Sequence, residues 1–442
     1  MCTISVAYYK NVLSLEVNLK MKINEMYLEN FRGSEDLTLN LNGKSAVIVG
    51  ANGAGKSSII NAAVTSLSVM VDKVSYSVSK KVELKETDIK NDKQRYVITT
   101  LVEHENDYGT IKIVKNRSKT AQSKSPSSTK GSNFMNIVSS IHENIERNIH
   151  VNLPVTVFYS AYRNVIGVPS RIKNRHEFDQ FSSYLNCFES STDFRTFFEW
   201  FRDQEDLENE EKLESNLAYR DEQLEAVRRA VYGIMTDFTD LRIMRKGKMR
   251  MVISKHGQRL EINQLSDGEK CTLAMIGDLA RRLALANPHL ANPLNGEGIV
   301  LIDEIELHLH PSWQREIIKK LENVFPNIQF IISTHSPQVL GEIKNANIYV
   351  INDVLNTNEF SVNAIDTTFG KDSNLILEEY MNAASKNREI QSQLDCLYQH
   401  ISLNEIKEAE ALYTSLSKTL GAEDPSLIKA EMIIKRKKVL GK

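Results

Sequence analysis

The chain has 442 residues, enough for two or three structural units, and its 41% hydrophobic and 25% charged content is ordinary for a soluble globular protein with a real core. A net charge of −2 excludes a global basic bias, so any nucleic-acid contact must come from local patches of Lys and Arg. Cys2, Cys187, Cys271 and Cys396 are scattered without a CxxC pair, which supports neither a disulfide framework nor a zinc ribbon and fits a reducing cytoplasm.

The first twenty residues, "MCTISVAYYKNVLSLEVNLK", lack a basic segment followed by an apolar one and make a poor signal peptide. They read as an N-terminal extension, or as a start placed upstream of Met21, which opens the strand-like "MKINEMYLENFRG". No apolar run approaches the ~18 residues of a membrane span. Continuous apolar runs predict buried parallel strands at Ser45–Gly50, Val155–Ala161, Gly298–Glu304, Ile328–His335 and Asn347–Asp353. Helical patterns follow Ser57 and Gly268 and span Pro311 to Phe325, so strands and helices alternate as in an α/β sheet. Tyr96–Arg117 alternates and predicts an antiparallel hairpin turning at Asn106–Gly109. Ser118–Asn133 is polar and Ser-rich and reads as a loop. A charged helical stretch from Asp193 to Asp237 reads as a lobe inserted between the halves of the sheet, and the residues after Thr368 are helical with a basic end.

"GANGAGKS", Gly50 to Ser57, follows a strand and opens a helix, the strand–loop–helix context of a P-loop. Its glycines let backbone N–H groups turn toward phosphates, and the helix N-terminus adds positive potential. Gly50, Asn52, Gly53, Gly55, Lys56, Ser57 and Ser58 are the expected ATP-binding residues, with Lys56 reaching the β- and γ-phosphates and Ser57 a Mg²⁺ ligand. "GIVLIDE" ends in Asp303 and Glu304, a Walker B arrangement: Asp303 for Mg²⁺, Glu304 for the attacking water. In "QLSDGEK", Ser266 and the amides near Gly268 form a second anion-binding helix start, while Ser266 followed by Glu269 equally fits a plain capping box. "ISTHSP" places His335 just past a strand, where a lone histidine is usually just a hydrogen-bonded residue. "DEIELHLHP" looks like a metal-binding segment, yet neighbours on a strand alternate sides, so its carboxylates and imidazoles cannot all converge on one ion.

"GANGAGKS", "QLSDGEK", "GIVLIDE" and "ISTHSP", in that order along the chain, resemble the ABC-type ATPases of the RecF, SMC and OLD-like branch. "QLSDGEK" resembles that family's LSGGQ signature, matching at Leu265, Ser266 and Gly268 and departing at Asp267 and Glu269, and His335 stands at its switch position. "YLENFRG" resembles the branch's first strand, which puts Arg32 near the nucleotide. The resemblance runs from Met21 to Asp353 and implies an α/β, ABC/SMC-type P-loop ATPase head with an inserted helical lobe and a C-terminal helical module. Its expected divisions are an extension at 1–20, a first ATPase lobe at 21–165, a helical insertion at 166–240, a second ATPase lobe at 241–355 and the C-terminal module at 356–442. It implies a homodimer, or a larger even-numbered oligomer, holding ATP and Mg²⁺ between the P-loop of one subunit and Ser266–Gly268 of the other. Lys56, Glu304 and His335 would be catalytic. Glu306, His308 and His310 fall in the family's D-loop, making His310 an interface residue that senses the partner's nucleotide.

Asp193–Glu210 and Leu412–Lys438 further resemble the ATPase subunit of Septu-type, PtuA-like anti-phage systems, including retron-associated ones. That resemblance implies an HNH endonuclease partner in the cytoplasm, with hydrolysis that is slow or regulatory. The C-terminal stretch is helical, carries no DxD motif and is too short for a full Toprim nuclease domain, and no heptads form long SMC arms. The alternatives are a RecF/SMC-like repair ATPase that clamps duplex DNA and a non-hydrolysing nucleotide sensor. Candidate DNA contacts are Arg163, Arg242–Arg250 and Lys435–Lys438, of which the second fits a solvated hairpin better and the third a solvated helix end. No segment is assigned as the Q-loop.

Overall fold

The computed structural model describes residues 17–18, 21–75, 82–104, 107–118, 127–147, 151–162, 178–189, 194–214, 216–354, 359–381, 387–421 and 423–440. Arg163 and most of the N-terminal extension therefore lie outside the described residues. The chain divides into two compact units, Met1–Lys371 and Asp372–Lys442.

In chain order the first unit begins with β1 (Val17–Asn18), β2 (Met21–Glu29), β3 (Asp36–Asn40) and β4 (Ala46–Gly50), which leads into α1 (Lys56–Val74). There follow β5 (Arg95–His104), β6 (Asp107–Asn116), β7 (Ser127–Ser132), α2 (Phe134–Glu146), β8 (Val151–Asn152) and β9 (Val155–Tyr159). Next come α3 (Phe194–Glu214), α4 (Glu222–Ile234), β10 (Phe238–Met244), β11 (Arg250–Lys255), β12 (Gln258–Glu261) and α5 (Asp267–Ala286). The unit closes with β13 (Gly298–Ile302), α6 (Pro311–Val324), β14 (Ile328–Thr334), α7 (Pro337–Leu340), β15 (Asn347–Val354) and β16 (Glu359–Ile365).

All five predicted apolar runs are strands of one sheet, ordered β16-β15-β4-β14-β13-β9. Its pairs are parallel except β15 with β16. Ala46–Gly50, Gly298–Ile302 and Ile328–Thr334 are buried at every residue, as strands covered on both faces must be. A second, antiparallel sheet runs β3-β2-β5-β6-β7. Helix α1 touches β13 and β14 of the first sheet and β5 and β6 of the second. It is accordingly buried on most of its surface, with Ile59, Ile60, Leu67, Met70 and Val71 at 1% exposure or less.

The structure departs from the sequence reading in three places. The predicted hairpin turns earlier, because His104 already pairs with Asp107 and Gly109 sits inside the ladder opposite Val102. Gly109 is there for close approach: a Cβ on it would lie 2.9 Å from Phe134 Cα at the start of α2. Part of the Ser-rich stretch is an edge strand, β7, whose backbone pairs with β6 without needing apolar residues. The expected helical insertion lies between β9 and β10, and its helices α3 and α4 pack on α5 within the first unit. The ring of Phe197 presses on Gly277, where a Cβ would lie 2.6 Å away, and together these helices bury α5 from Cys271 to Ala286. The boundary expected after residue 355 falls at Asp372, because β16 pairs with β15 along Ile348–Val354 and completes the sheet.

The second unit holds α8 (Ser373–Tyr380), α9 (Arg388–Ser402), α10 (Ile406–Leu420) and α11 (Pro425–Leu440). Leu394, Leu397, Ile401, Ala409, Leu416, Leu427, Ala430 and Ile434 form its own core.

One buried ionic cluster ties α5 to β9. Asp278 accepts from Arg281 at 2.7 Å, Arg282 at 2.7 Å and the Tyr159 hydroxyl at 2.9 Å, and Arg282 also reaches the Ser183 and Leu185 carbonyls. Burial alone would raise the Asp278 carboxyl, but the two guanidiniums outweigh it and hold it down at about 2. A depressed carboxyl contributes stability above its unfolded value of about 4. That contribution is lost as pH falls from there toward about 2. Asp278→Ala leaves two buried guanidiniums without their counter-charge and is expected to cost about 3–5 kcal/mol in urea denaturation at pH 7. Asp278→Asn should remove the share of the acid-side dependence of stability that Asp278 contributes over the same window.

Candidate nucleotide site

The site lies where β4, β13 and β14 end level with one another. Thr334 pairs with Val49 and Ile332 with Ile302, so the chain just beyond each strand meets the N-terminus of α1. Gly53 and Gly55 have φ of 83° and 103°, the left-handed region in which glycine carries no Cβ penalty. Gly55 is also the N-cap of α1 and supplies no side-chain cap. The helices α5 and α6 differ, being capped by the side chains of Ser266 and His310. The first N–H groups of α1 thus keep their capacity for an anion.

Lys56 folds back over the loop. Its Nζ donates to the Gly50 and Ala51 carbonyls at 3.0 and 2.9 Å and stands 3.2 Å from Nδ1 of His335. Burial pushes the Lys56 ammonium below its usual value, while Glu304, Asp303 and Glu306 pull it back up. A donating Lys56 requires an unprotonated Nδ1, which puts the proton of His335 on Nε2, 3.5 Å from Oε1 of Glu304. Ser57 Oγ donates to Oδ2 of Asp303 at 2.9 Å, and Ser333 Oγ donates to the other oxygen, Oδ1. Ser333 Oγ also accepts from Glu304 N–H at 2.9 Å, and the Ser333 carbonyl accepts from Ile305 N–H at 3.1 Å. Glu304 itself turns left-handed, φ 50°, as β13 ends.

The structure therefore gathers Gly50, Lys56, Ser57, Asp303, Glu304 and His335 into one hydrogen-bonded cluster. Asn52, Gly53, Gly55 and Ser58 belong to the same loop and helix start, with Ser58 N–H bonded back to the Gly55 carbonyl. Four expected residues bond elsewhere. Arg32 pairs with Asp88 at 2.9 Å and lies over the Phe31 ring, because its left-handed backbone turns it toward that loop. Ser266 caps α5 in a reciprocal box with Glu269, as the plain-cap reading expected. Gly268 abuts the main chain of His308, and His310 accepts from Ser312 N–H as the N-cap of α6. Burial alone would raise the Glu269 carboxyl, but Lys255 and the Ser266 cap together hold it below its usual range. Among the described residues no group of three or more His, Cys, Asp and Glu side chains is placed to hold a metal ion.

Sequence reasoning missed Ser333, Thr334, Gln314 and Phe360. The first three act through hydrogen bonds that no spacing rule encodes. Phe360 comes from β16, paired with Asp353, and its ring fills the space a Gly55 Cβ would need, 2.9 Å away.

A glycine-nested P-loop, an acidic strand end beside its serine and a histidine on the next strand define a P-loop ATPase head of the ABC/SMC type. The chain belongs to the family described as "AAA domain, putative AbiEii toxin, Type IV TA system", whose profile matches residues 45–341. It is 28% identical to the Retron Ec83 probable ATPase of Escherichia coli, over 95% of this chain and 87% of that protein. It is 38% identical to the Septu protein PtuA of Bacillus mycoides over 21% of this chain and 12% of that one. Among solved structures, the SMC head domain from Thermotoga maritima aligns with 78% of this chain and all of its own length at 14% identity, with a TM-score of 0.41.

The contact at Gly268 yields a test of the geometry. A Cβ there would lie 2.1 Å from the His308 carbonyl oxygen, so backbone must shift. Gly→Ala inside a helix ordinarily gains about 0.5–1 kcal/mol. Gly268→Ala is expected instead to lose about 1–3 kcal/mol in urea denaturation. A stabilised variant would show that the close approach does not exist.

Proposed function

We propose that the chain is the ATP-hydrolysing subunit of an anti-phage defence complex, closing head-to-tail around ATP and governing an HNH-type nuclease partner. The observation that carries the ATPase reading is the continuous cluster Ser57–Asp303–Ser333–Glu304–His335–Lys56. The left-handed glycines and the uncapped start of α1 suit a polyphosphate, and Ser57 with Asp303 suits Mg²⁺, a hard cation that takes oxygen ligands. Bound there, the ion would neutralise charge on the phosphates. In this reading Gly50, Asn52, Gly53, Gly55 and Ser58 line the phosphates and Lys56 leaves its carbonyls to meet them. Glu304 takes the proton of the attacking water, and His335 donates from Nε2.

The defence role and the partner follow from similarity to a retron ATPase and a Septu protein. Head-to-tail closure would bring Ser266 and Gly268 onto the second subunit's ATP, with Arg32 near the nucleotide edge and His310 at the interface. Binding energy released across that interface would favour the closed state, and hydrolysis would release it. A duplex-clamping role has less support on the surface. Arg242, Arg245 and Arg250 pair with Asp240, Glu205 and Glu261, and Lys435 and Lys438 pair with Glu431 and Glu410.

Phosphate release by the wild-type chain should disappear in Lys56→Ala. Glu304→Gln should bind ATP and accumulate as a closed dimer by light scattering. A Glu304→Gln chain that stays monomeric with ATP, while wild type dimerises, would rule out the head-to-tail arrangement.

A further inference from the structure

Glu306 lies outside the hydrogen-bonded cluster just described, yet both of its carboxylate oxygens accept hydrogen bonds. One oxygen accepts from the His335 main-chain N–H and the other from Thr334 Oγ1 at 2.8 Å. Thr334 Oγ1 in turn accepts from Ser336 N–H at 3.0 Å. Gln314 of α6 reinforces the same junction. Its amide donates to the Leu309 carbonyl at 2.9 Å and accepts from Ser336 Oγ at 2.7 Å. The segment after β13 is thus bolted to the segment after β14 by two side chains. Bonds to an ionised acceptor are roughly twice as strong as neutral ones, so Glu306 supplies the firmer of the two.

What this junction holds is the root of His335. The imidazole has only two torsions, and its nitrogens face two separate elements, Lys56 at 3.2 Å and Glu304 at 3.5 Å. Both separations depend on where the main chain at residue 335 sits. We propose that Glu306 is a positioning residue for hydrolysis: it fixes the His335 backbone so that the imidazole stands between Lys56 and Glu304. The proposal rests on the ATPase reading above. Glu306 acts through His335, so its contribution vanishes when that imidazole is absent.

The test is a double-mutant cycle on the full chain, with phosphate release and binding of a fluorescent ATP analogue measured side by side. Glu306→Ala should lower kcat by about ten-fold while KM and analogue affinity stay within about three-fold of wild type. Glu306→Gln keeps an acceptor for the His335 N–H and should recover at least about a third of the rate. Glu306→Ala combined with His335→Ala should be no slower than His335→Ala alone. A purely structural tether would instead lower the melting midpoint and weaken binding and turnover together. Multiplying losses in the double variant, a wild-type rate in Glu306→Ala, or a raised KM at unchanged kcat would overturn the proposal. Thr334→Val, which removes one of the two donors, carries the same cycle if Glu306→Ala does not fold. Wild type releasing no more phosphate than Lys56→Ala would remove the ATPase reading itself, and the proposal with it.

Discussion

The site depends on the Asp303 carboxylate, held from both sides by hydroxyls. Ser57 reaches it from α1 and Ser333 from β14, while Asp303 ends β13. Three elements distant in sequence are thereby fixed to one pair of oxygens. The parallel register makes this possible, because Ile302 opposite Ile332 brings the next residues, Asp303 and Ser333, side by side. A slip of one residue would turn Ser333 to the other face and the carboxylate would lose a partner. Further site contacts build on that alignment: Glu304 N–H on Ser333, Ile305 on the Ser333 carbonyl, and His335 two residues further along.

The parts of this arrangement that were legible in the sequence are local. Strands buried on both faces must be continuous apolar runs, and all five were found as such. The P-loop was legible because left-handed backbone and phosphate access demand glycine at 53 and 55. The rest is relational. Nothing in "NEFSVNAI" says that β16 will reverse along β15, nor that Phe360 will land against Gly55. Helices α3 and α4 are legible as a charged helical insertion, but that their buried faces cover α5 is not. Arg32 was read as a nucleotide contact from its motif, and its ion pair with Asp88 comes from a loop that alignment by motif ignores. Glu306 and Gln314 are invisible to spacing rules, since their partners are main-chain atoms on other elements.

The two helix starts treated as anion sites differ in their charge state. Helix α1 begins with three residues, Lys56 to Ser58, that bring no acid into its first turn. Helix α5 carries Asp267 and Glu269 there, and its cap is already satisfied by Ser266. Its positive potential is thus partly spent within the chain, with Lys255 restoring a charge beside Glu269. The helix-start potential left uncompensated by acidic residues is therefore the stronger at α1.

The contact between Gly268 and His308 separates what this chain keeps of the signature pattern from what it changes. The side chain of Asp267 is 85% exposed, so the position tolerates bulk and charge without disturbing its neighbours. Position 268 faces a carbonyl oxygen with no room for a single carbon. The glycine that survives in "SDGEK" is thus the one that the fold of the isolated chain requires, whatever it meets across an interface. A motif usually read as a binding signature is, at that residue, also a record of how closely two loops of one subunit must pass.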